Sequence, residues 1–244
     1  MRRRRWIADE VDLGKNRAAL AGEHADHLIR VLRARIGQQF DLVVSNDPVQ
    51  VRSGRIVSME NARVVFELAG QVALKPEQQS VKLLLSIFKF DRMEWAIEKA
   101  VELGVGTIVP VIASRTQRHL ASAATKRIER WRRIVQQAAE QSRREIVPKI
   151  ASPVELKRAV EATEHGIVLA ESEAELSLRG CLQGRPSRQI LSLAIGAEGG
   201  WTSEELALFS AAGWQKASLG PNILRAETAA IAALAIVMSE LQSG

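Results

Sequence analysis

The chain holds a single cysteine, Cys181, so an internal disulfide is excluded. Its four histidines, His24, His27, His119 and His165, stand at no spacing that would join that thiol around a metal ion, and no metal is expected. No uninterrupted apolar run is long enough to span a bilayer, and the arginine-rich start lacks the apolar stretch of a signal peptide. The expectation is a cytoplasmic protein. Three chemical signatures are missing as well. There is no Gly-x-x-x-x-Gly-Lys-Ser/Thr phosphate loop, the glycines have the wrong spacing for a dinucleotide fingerprint, and no Gly-x-Ser-x-Gly nucleophile elbow occurs.

What is present is a globular composition, 46% hydrophobic and 25% charged over 244 residues, enough for one large domain or two smaller ones. With 34 Lys+Arg against 28 Asp+Glu the net charge is +6, which suits a polyanionic partner without requiring one. Residues 1–73 read as a small strand-rich module. Phe40 to Val44, Val49 to Val57 and Ala62 to Leu68 carry β-branched alternation, with turns at Asn46-Asp47-Pro48 and Glu60-Asn61. Glu23 to Leu32 fits one helix with Ala25, Leu28, Ile29 and Leu32 on a shared face. Arg2, Arg3, Arg4 and Arg5 precede Trp6, a cluster able to grip phosphates while the indole stacks on a base; a solvated terminus reads the same way.

A polar linker at 75–79 ends that module, and residues 74–244 alternate strands with helices. Val81 to Phe88, Asp91 to Leu103 and Thr107 to Ile112 make a βαβ unit, hence a parallel sheet, with Met93, Ala96, Ile97, Ala100 and Val101 on the helix's buried side. A helix from about Thr125 to Arg144 turns Trp131, Ile134, Val135 and Ala138 inward, and its basic face is either a solvated surface or an RNA contact. Helix Pro153 to Ala162 and strand Gly166 to Ala170 follow.

Two glycine loops come next. Ile190 to Ile195 is an apolar strand that breaks into Gly196-Ala197-Glu198-Gly199-Gly200-Trp201, after which Thr202 or Ser203 is placed to cap a helix. Glycines let a backbone approach a ligand closely. The second loop, Leu219-Gly220-Pro221-Asn222, leads into apolar sequence reaching Leu241, with Ile231, Leu234, Ala235 and Met238 at helical spacing. Two such loops can line one small-molecule pocket, and two ordinary turns of an α/β sheet would read alike.

The strings Ile195-Gly196-Ala197-Glu198-Gly199-Gly200-Trp201 and Leu219-Gly220-Pro221-Asn222-Ile223-Leu224-Arg225-Ala226-Glu227-Thr228-Ala229 resemble the two signature loops of the RsmE family of SPOUT methyltransferases. Lys89-Phe90-Asp91-Arg92-Met93-Glu94-Trp95, Glu140-Gln141-Ser142-Arg143-Arg144, and His27-Leu28 with Val31-Leu32-Arg33 resemble further family motifs, in the same order along nearly the whole chain. Two positions depart from the family pattern. Ala197 replaces a proline, which loosens the loop, and Asn222 replaces an arginine, which removes a charge from RNA or a dimer partner.

The resemblance implies an N-terminal PUA-like β-barrel domain for RNA and a C-terminal α/β domain with a parallel sheet flanked by helices, its end threaded into a trefoil knot. It also implies methyl transfer from S-adenosylmethionine to N3 of one uridine in 16S ribosomal RNA of the small subunit, by a homodimer formed through the knot domain. The cofactor pocket carries over to Leu169, Ala170 and Glu171, to Gly196, Glu198, Gly199 and Gly200, and to Leu219, Gly220, Ile223, Leu224 and Arg225. Uridine N3 carries a proton on its Watson–Crick edge, so the base must be unpaired and the proton removed. Glu198 or Glu227 is expected to assist that removal and Arg225 to steady the anion, although a carboxylate in a first helical turn also gains from the helix dipole alone. RNA phosphates fall to Arg2, Arg5, Arg30, Arg33, Lys89, Arg92 and Arg115. Another SPOUT enzyme would methylate a ribose hydroxyl or a transfer RNA base, and a non-catalytic assembly factor would bind RNA without cofactor.

Overall fold

A computed structural model of the chain describes residues 5–46, 49–72, 81–142, 144, 146–163, 165–183 and 190–243. The chain divides into two compact units, residues 1–76 with 143–147, and residues 77–142 with 148–244. Arg2, Arg3 and Arg4, the Asp47-Pro48 part of the expected turn, and the linker at 75–79 lie outside the described residues.

The N-terminal unit is a six-stranded sheet of β1 (Arg5–Ile7), β2 (Glu10–Asp12), β3 (Arg17–Ala21), β4 (Gln39–Asn46), β5 (Val49–Glu60) and β6 (Arg63–Gln71), in the order β1-β4-β5-β6-β3-β2. Between β1 and β2, Ala8 N–H donates to Val43 O and Asp9 N–H to Ala19 O, both at 3.0 Å. One segment therefore bonds both to β4 and to β3, the strands next to the two edges of the sheet, and draws the edges together as a PUA-like barrel requires. Strand periodicity of two builds the core. Phe40, Leu42 and Val44 from β4, Val64, Phe66 and Leu68 from β6, and Ala18 and Leu20 from β3 meet in one buried cluster. Gly54 is needed where β5 crosses it, because a Cβ there would stand 2.6 Å from Leu42 Cδ1.

Two expectations for this unit are corrected. Trp6 does not present its indole to a base: it pairs in register with Leu42, points inward with it, and is only 5% exposed, with its ring edge-on to His27. The expected helix Glu23 to Leu32 splits into α1 (Gly22–Asp26) and a π-helical turn, His27–Val31. The wider turn shifts the face, so Leu28 is buried but Leu32 is exposed.

The C-terminal unit is a parallel sheet of β7 (Val81–Ser86), β8 (Thr107–Ile112), β9 (Lys149–Ile150), β10 (Val154–Glu155), β11 (Ile167–Leu169), β12 (Leu191–Ile195) and β13 (Gln215–Ala217). The order is β10-β8-β7-β12-β11-β13, with β9 also on the outer edge of β8. Its helices are α2 (Phe90–Leu103), α3 (Arg118–Gln141), α4 (Leu156–Glu161), α5 (Leu178–Leu182), α6 (Ser203–Ala211) and α7 (Ala226–Ser243). The expected buried stripe of α2 is present in full, and the helix stops at Gly104, whose φ of +107° no side chain tolerates well.

α3 starts earlier than Thr125 because Leu120 and Ala124 extend the buried stripe of Trp131, Val135 and Ala138. It stops at Gln141, where Ser142 Oγ donates back to Ala138 O at 2.6 Å. On its basic face Arg130 and Arg127 reach Glu94 of α2 and Arg132 reaches Glu129. Residues 154 and 155, expected in a helix, form an edge strand, and α5 is too short to have shown a period in the sequence. On α7 the buried apolar residues are Ala226, Ala230, Ala233, Leu234 and Val237, whereas Ala235 is exposed. A helix apolar on every side gives no pattern from which to read its inner face. No helix among the described residues is long and apolar enough to cross a membrane.

Candidate active site

Open parallel sheets bind ligands beyond the carboxyl ends of their strands, where the strand order reverses. Here a cavity of about 340 Å³ opens past the ends of β11, β12 and β13, beside the reversal between β7 and β12. Leu169, Ala170 and Glu171 line it from β11, Gly196, Gly199 and Gly200 from the first glycine loop, and Leu219, Gly220 and Leu224 from the second. Those nine were expected. Glu198, Ile223 and Arg225 were also expected there and do not line it. Ile223 is 80% exposed and Arg225 is exposed too, because the chain between Gly220 and α7 turns their side chains to water. Sequence reasoning missed lining residues outside the two loops, Ser172, Ser203, Leu206 and Ser218 among them, and assigned Arg115 to RNA alone.

The first glycine loop is held on all sides. Gly200 has φ +68°, its N–H donates to Ala197 O at 2.8 Å, and a Cβ on it would approach the Glu171 carboxyl. The turn closes in this way with Ala197, itself buried, at the position where the family pattern has proline. Arg115 Nη1 donates to Gly199 O, and Trp201 Nε1 donates to Leu169 O at 2.9 Å. Thr202 caps α6 as expected: its hydroxyl accepts from Glu205 N–H while Thr202 N–H donates to Glu205 Oε2. The other oxygen of buried Glu205 accepts from Ser114 N–H at 2.7 Å, fastening the loop that carries Arg115 to the start of α6. Beside it, Glu204's own backbone N–H, then the Thr202 hydroxyl, and beyond them Arg115 hold the Glu204 carboxyl below the usual carboxylate range.

Three charged side chains from distant parts of the chain meet next to this loop. Arg92, in the first turn of α2, donates to Glu198 Oε1 at 2.7 Å, and its Nε stands 3.8 Å from Glu227 Oε1 at the start of α7. Glu227 is 6% exposed, and its Oε2 is buried without a hydrogen-bond partner. Both carboxylates thus share Arg92, which the sequence had suggested for RNA. Lys89, Arg115, Gln117 and Glu198 also line a second cavity of about 30 Å³.

Of the other RNA candidates, Arg5 pairs with Asp41 at 3.8 Å, Arg30 with Asp26 at 3.5 Å, and Arg33 is exposed; Arg2 lies outside the described residues. Among the described residues no group of three or more His, Cys, Asp or Glu could hold a metal ion.

Residues 75–238 match the family described as RNA methyltransferase domain. The ribosomal RNA small subunit methyltransferase E of Synechocystis is 37% identical over 222 residues, covering 89% of this chain and 71% of that protein. The protein of the same name from Mycobacterium bovis is 32% identical over 235 residues, covering 90% and 85%. Among solved structures, a ribosomal RNA small subunit methyltransferase E from Neisseria gonorrhoeae bound to S-adenosyl methionine superposes with a TM-score of 0.81, at 29% identity and 98% of both chains. A Legionella pneumophila methyltransferase in complex with the same cofactor gives the same score, identity and coverage. With its signature loops built around a cavity at the strand ends, the chain belongs to the RNA methyltransferase family, in the group of the ribosomal RNA small subunit methyltransferases E.

Proposed function

We propose that this protein transfers a methyl group from S-adenosylmethionine to N3 of a uridine in 16S ribosomal RNA. The observation that carries the reading is the cavity between the two glycine loops, together with the Glu198–Arg92–Glu227 chain of charges that begins between two of its lining residues, Ala197 and Gly199. Its volume lies in the range of small-molecule sites. Its lining suits an adenosyl group: Leu219 and Leu224 offer apolar faces, Gly220 at φ +117° leaves its Cβ direction empty, and Arg115 and Glu171 supply charges of both signs. When bound, the cofactor supplies an electrophilic methyl group.

The chain's own residues then have to free a lone pair on N3. Glu227 Oε2, a buried acceptor with no protein partner, takes the N3 proton. Arg92, 2.7 Å from Glu198 and 3.8 Å from Glu227, places a positive charge that steadies the uridine anion, the role the sequence assigned to Arg225. Glu198 holds Arg92 in that position.

The protein acts on the small ribosomal subunit in the cytoplasm and works as a homodimer. Support for the dimer is the outward stripe of α7, Thr228, Ala232, Ala235 and Ile236, which is uncharged and exposed or half-buried. Light scattering of the purified protein tests that stripe, and a monomeric mass overturns it. For the reaction, purified protein, S-adenosylmethionine and unmodified small subunits are incubated, and the RNA is digested for mass spectrometry. A 3-methyluridine peak that requires enzyme is expected. Methylated ribose, or no methylated nucleoside beside an active control enzyme, overturns the reading.

A further inference from the structure

The segment from Arg30 to Ile36 of the N-terminal unit holds Val31, Leu32 and Ile36 in water, at 64%, 37% and 68% exposure. Their burial would be favourable, so something must hold them out. The anchors are on either side: Leu28 and Ala34 are sunk in the barrel core, and Ala34 N–H donates to Leu28 O at 3.1 Å across the segment. Leu32 N–H closes the π-helical turn on His27 O, and Gly37 N–H is tied to Ile56 O at 2.8 Å. Arg33 between them is left-handed at φ +50°, a conformation costly for a side-chain-bearing residue. A π-turn and a strained residue in one short loop mark a segment kept for function and not for stability.

Charge identifies what the segment meets. Arg30, Arg33 and Arg35 are exposed and alternate with the apolar side chains, and Arg30 pairs with Asp26 at 3.5 Å. A partner must therefore present negative charge and apolar surface at short intervals. Duplex RNA offers the first and hides the second, since its bases are stacked inside, whereas single-stranded RNA offers both.

We propose that Val31, Leu32 and Ile36 form an apolar wedge that packs against unpaired bases of single-stranded RNA, while Arg30, Arg33 and Arg35 hold the phosphates on either side. The proposal rests on the reading of the protein as an RNA-modifying enzyme and adds the site and the strandedness of the RNA it grips. The segment selects an opened or looped region of the substrate, which is also what methylation of a Watson–Crick edge requires.

The test compares the full-length wild type with V31S/L32S/I36S by fluorescence anisotropy, using a fluorescein-labelled oligouridylate and a fully paired RNA duplex of the same length. Affinity of the variant for the single strand should fall about tenfold, with duplex affinity unchanged. The dependence of binding on salt should keep its slope, because no phosphate contact is lost, whereas R30S/R33S should flatten it. Ile36→Ser alone, outside the π-turn, should lose about threefold and decides the matter if the triple variant does not fold. Equal single-strand binding by wild type and variants overturns the wedge while leaving the enzyme reading intact. Equal losses on single strand and duplex overturn it too, as does a changed oligomeric mass with RNA binding intact, which would assign the face to a protein. Wild type that binds neither RNA removes the RNA reading and the wedge together.

Discussion

Between Gly196 and Glu205 the backbone is fastened by Arg115, by Trp201, by its own turn at Gly200 and by the Thr202–Glu205 capping box. Between Ser218 and Arg225 the contacts are fewer: Ser218 Oγ accepts from Gly220 N–H at 3.0 Å, and Gly220, Pro221, Asn222, Ile223 and Arg225 are all exposed. Both loops line one cavity, yet one is tied down on several sides and the other lies largely in water. The difference teaches where binding and chemistry divide. The fastened loop carries Glu198 already held against Arg92, whereas the exposed loop offers the cavity the apolar side chains of Leu219 and Leu224.

The sharpest way to break that comparison is to exchange the roles of the two arginines. Arg92→Gln should lower the single-turnover methylation rate by about 10²–10³ with cofactor saturated, the usual loss when a preorganised charge is removed. Arg225→Gln, on the open loop, should stay within about threefold in the same assay. If Arg225 proved the more damaging, the ion pairs seen with Arg92 would be structural. Next in size is Glu205→Ala, which removes a buried carboxylate and leaves the Ser114 and Thr202 N–H groups without their acceptor. It should cost about 2–4 kcal/mol in urea unfolding.

On the open loop, Ile223→Ser touches a side chain already in water and should change unfolding stability by less than about 0.5 kcal/mol. Its effect should appear only in cofactor affinity, by calorimetry, if the loop closes over the ligand. The smallest effect concerns acid. Glu204's folded carboxyl titrates below the usual range, so its contribution is present at neutral pH and lost as pH falls through that lowered value. Thermal melts of Glu204→Gln should therefore lose less stability on acidification than the wild type, and parallel pH profiles would show that the N-terminus of α6 gains nothing from this charge.

Much of the architecture was legible in local order. Period two in Phe40, Leu42 and Val44 marks the barrel strands, the stripe from Met93 to Val101 marks α2, and Gly196 to Thr202 reads as strand, loop and capped helix, because these properties depend on neighbours a few residues apart. The family motifs rest on the same local strings. What only the tertiary structure decided are meetings of distant residues: Arg92 with Glu198 across 106 positions, Ser114 with Glu205 across 91, and Trp6 turned inward by its register with Leu42. It also decided which side of the uniformly apolar α7 is buried and which stays open. Periodicity says that a residue faces something, while the partner it faces is fixed by strand order and by loops brought together at the strand ends, and so lies beyond what local spacing can express.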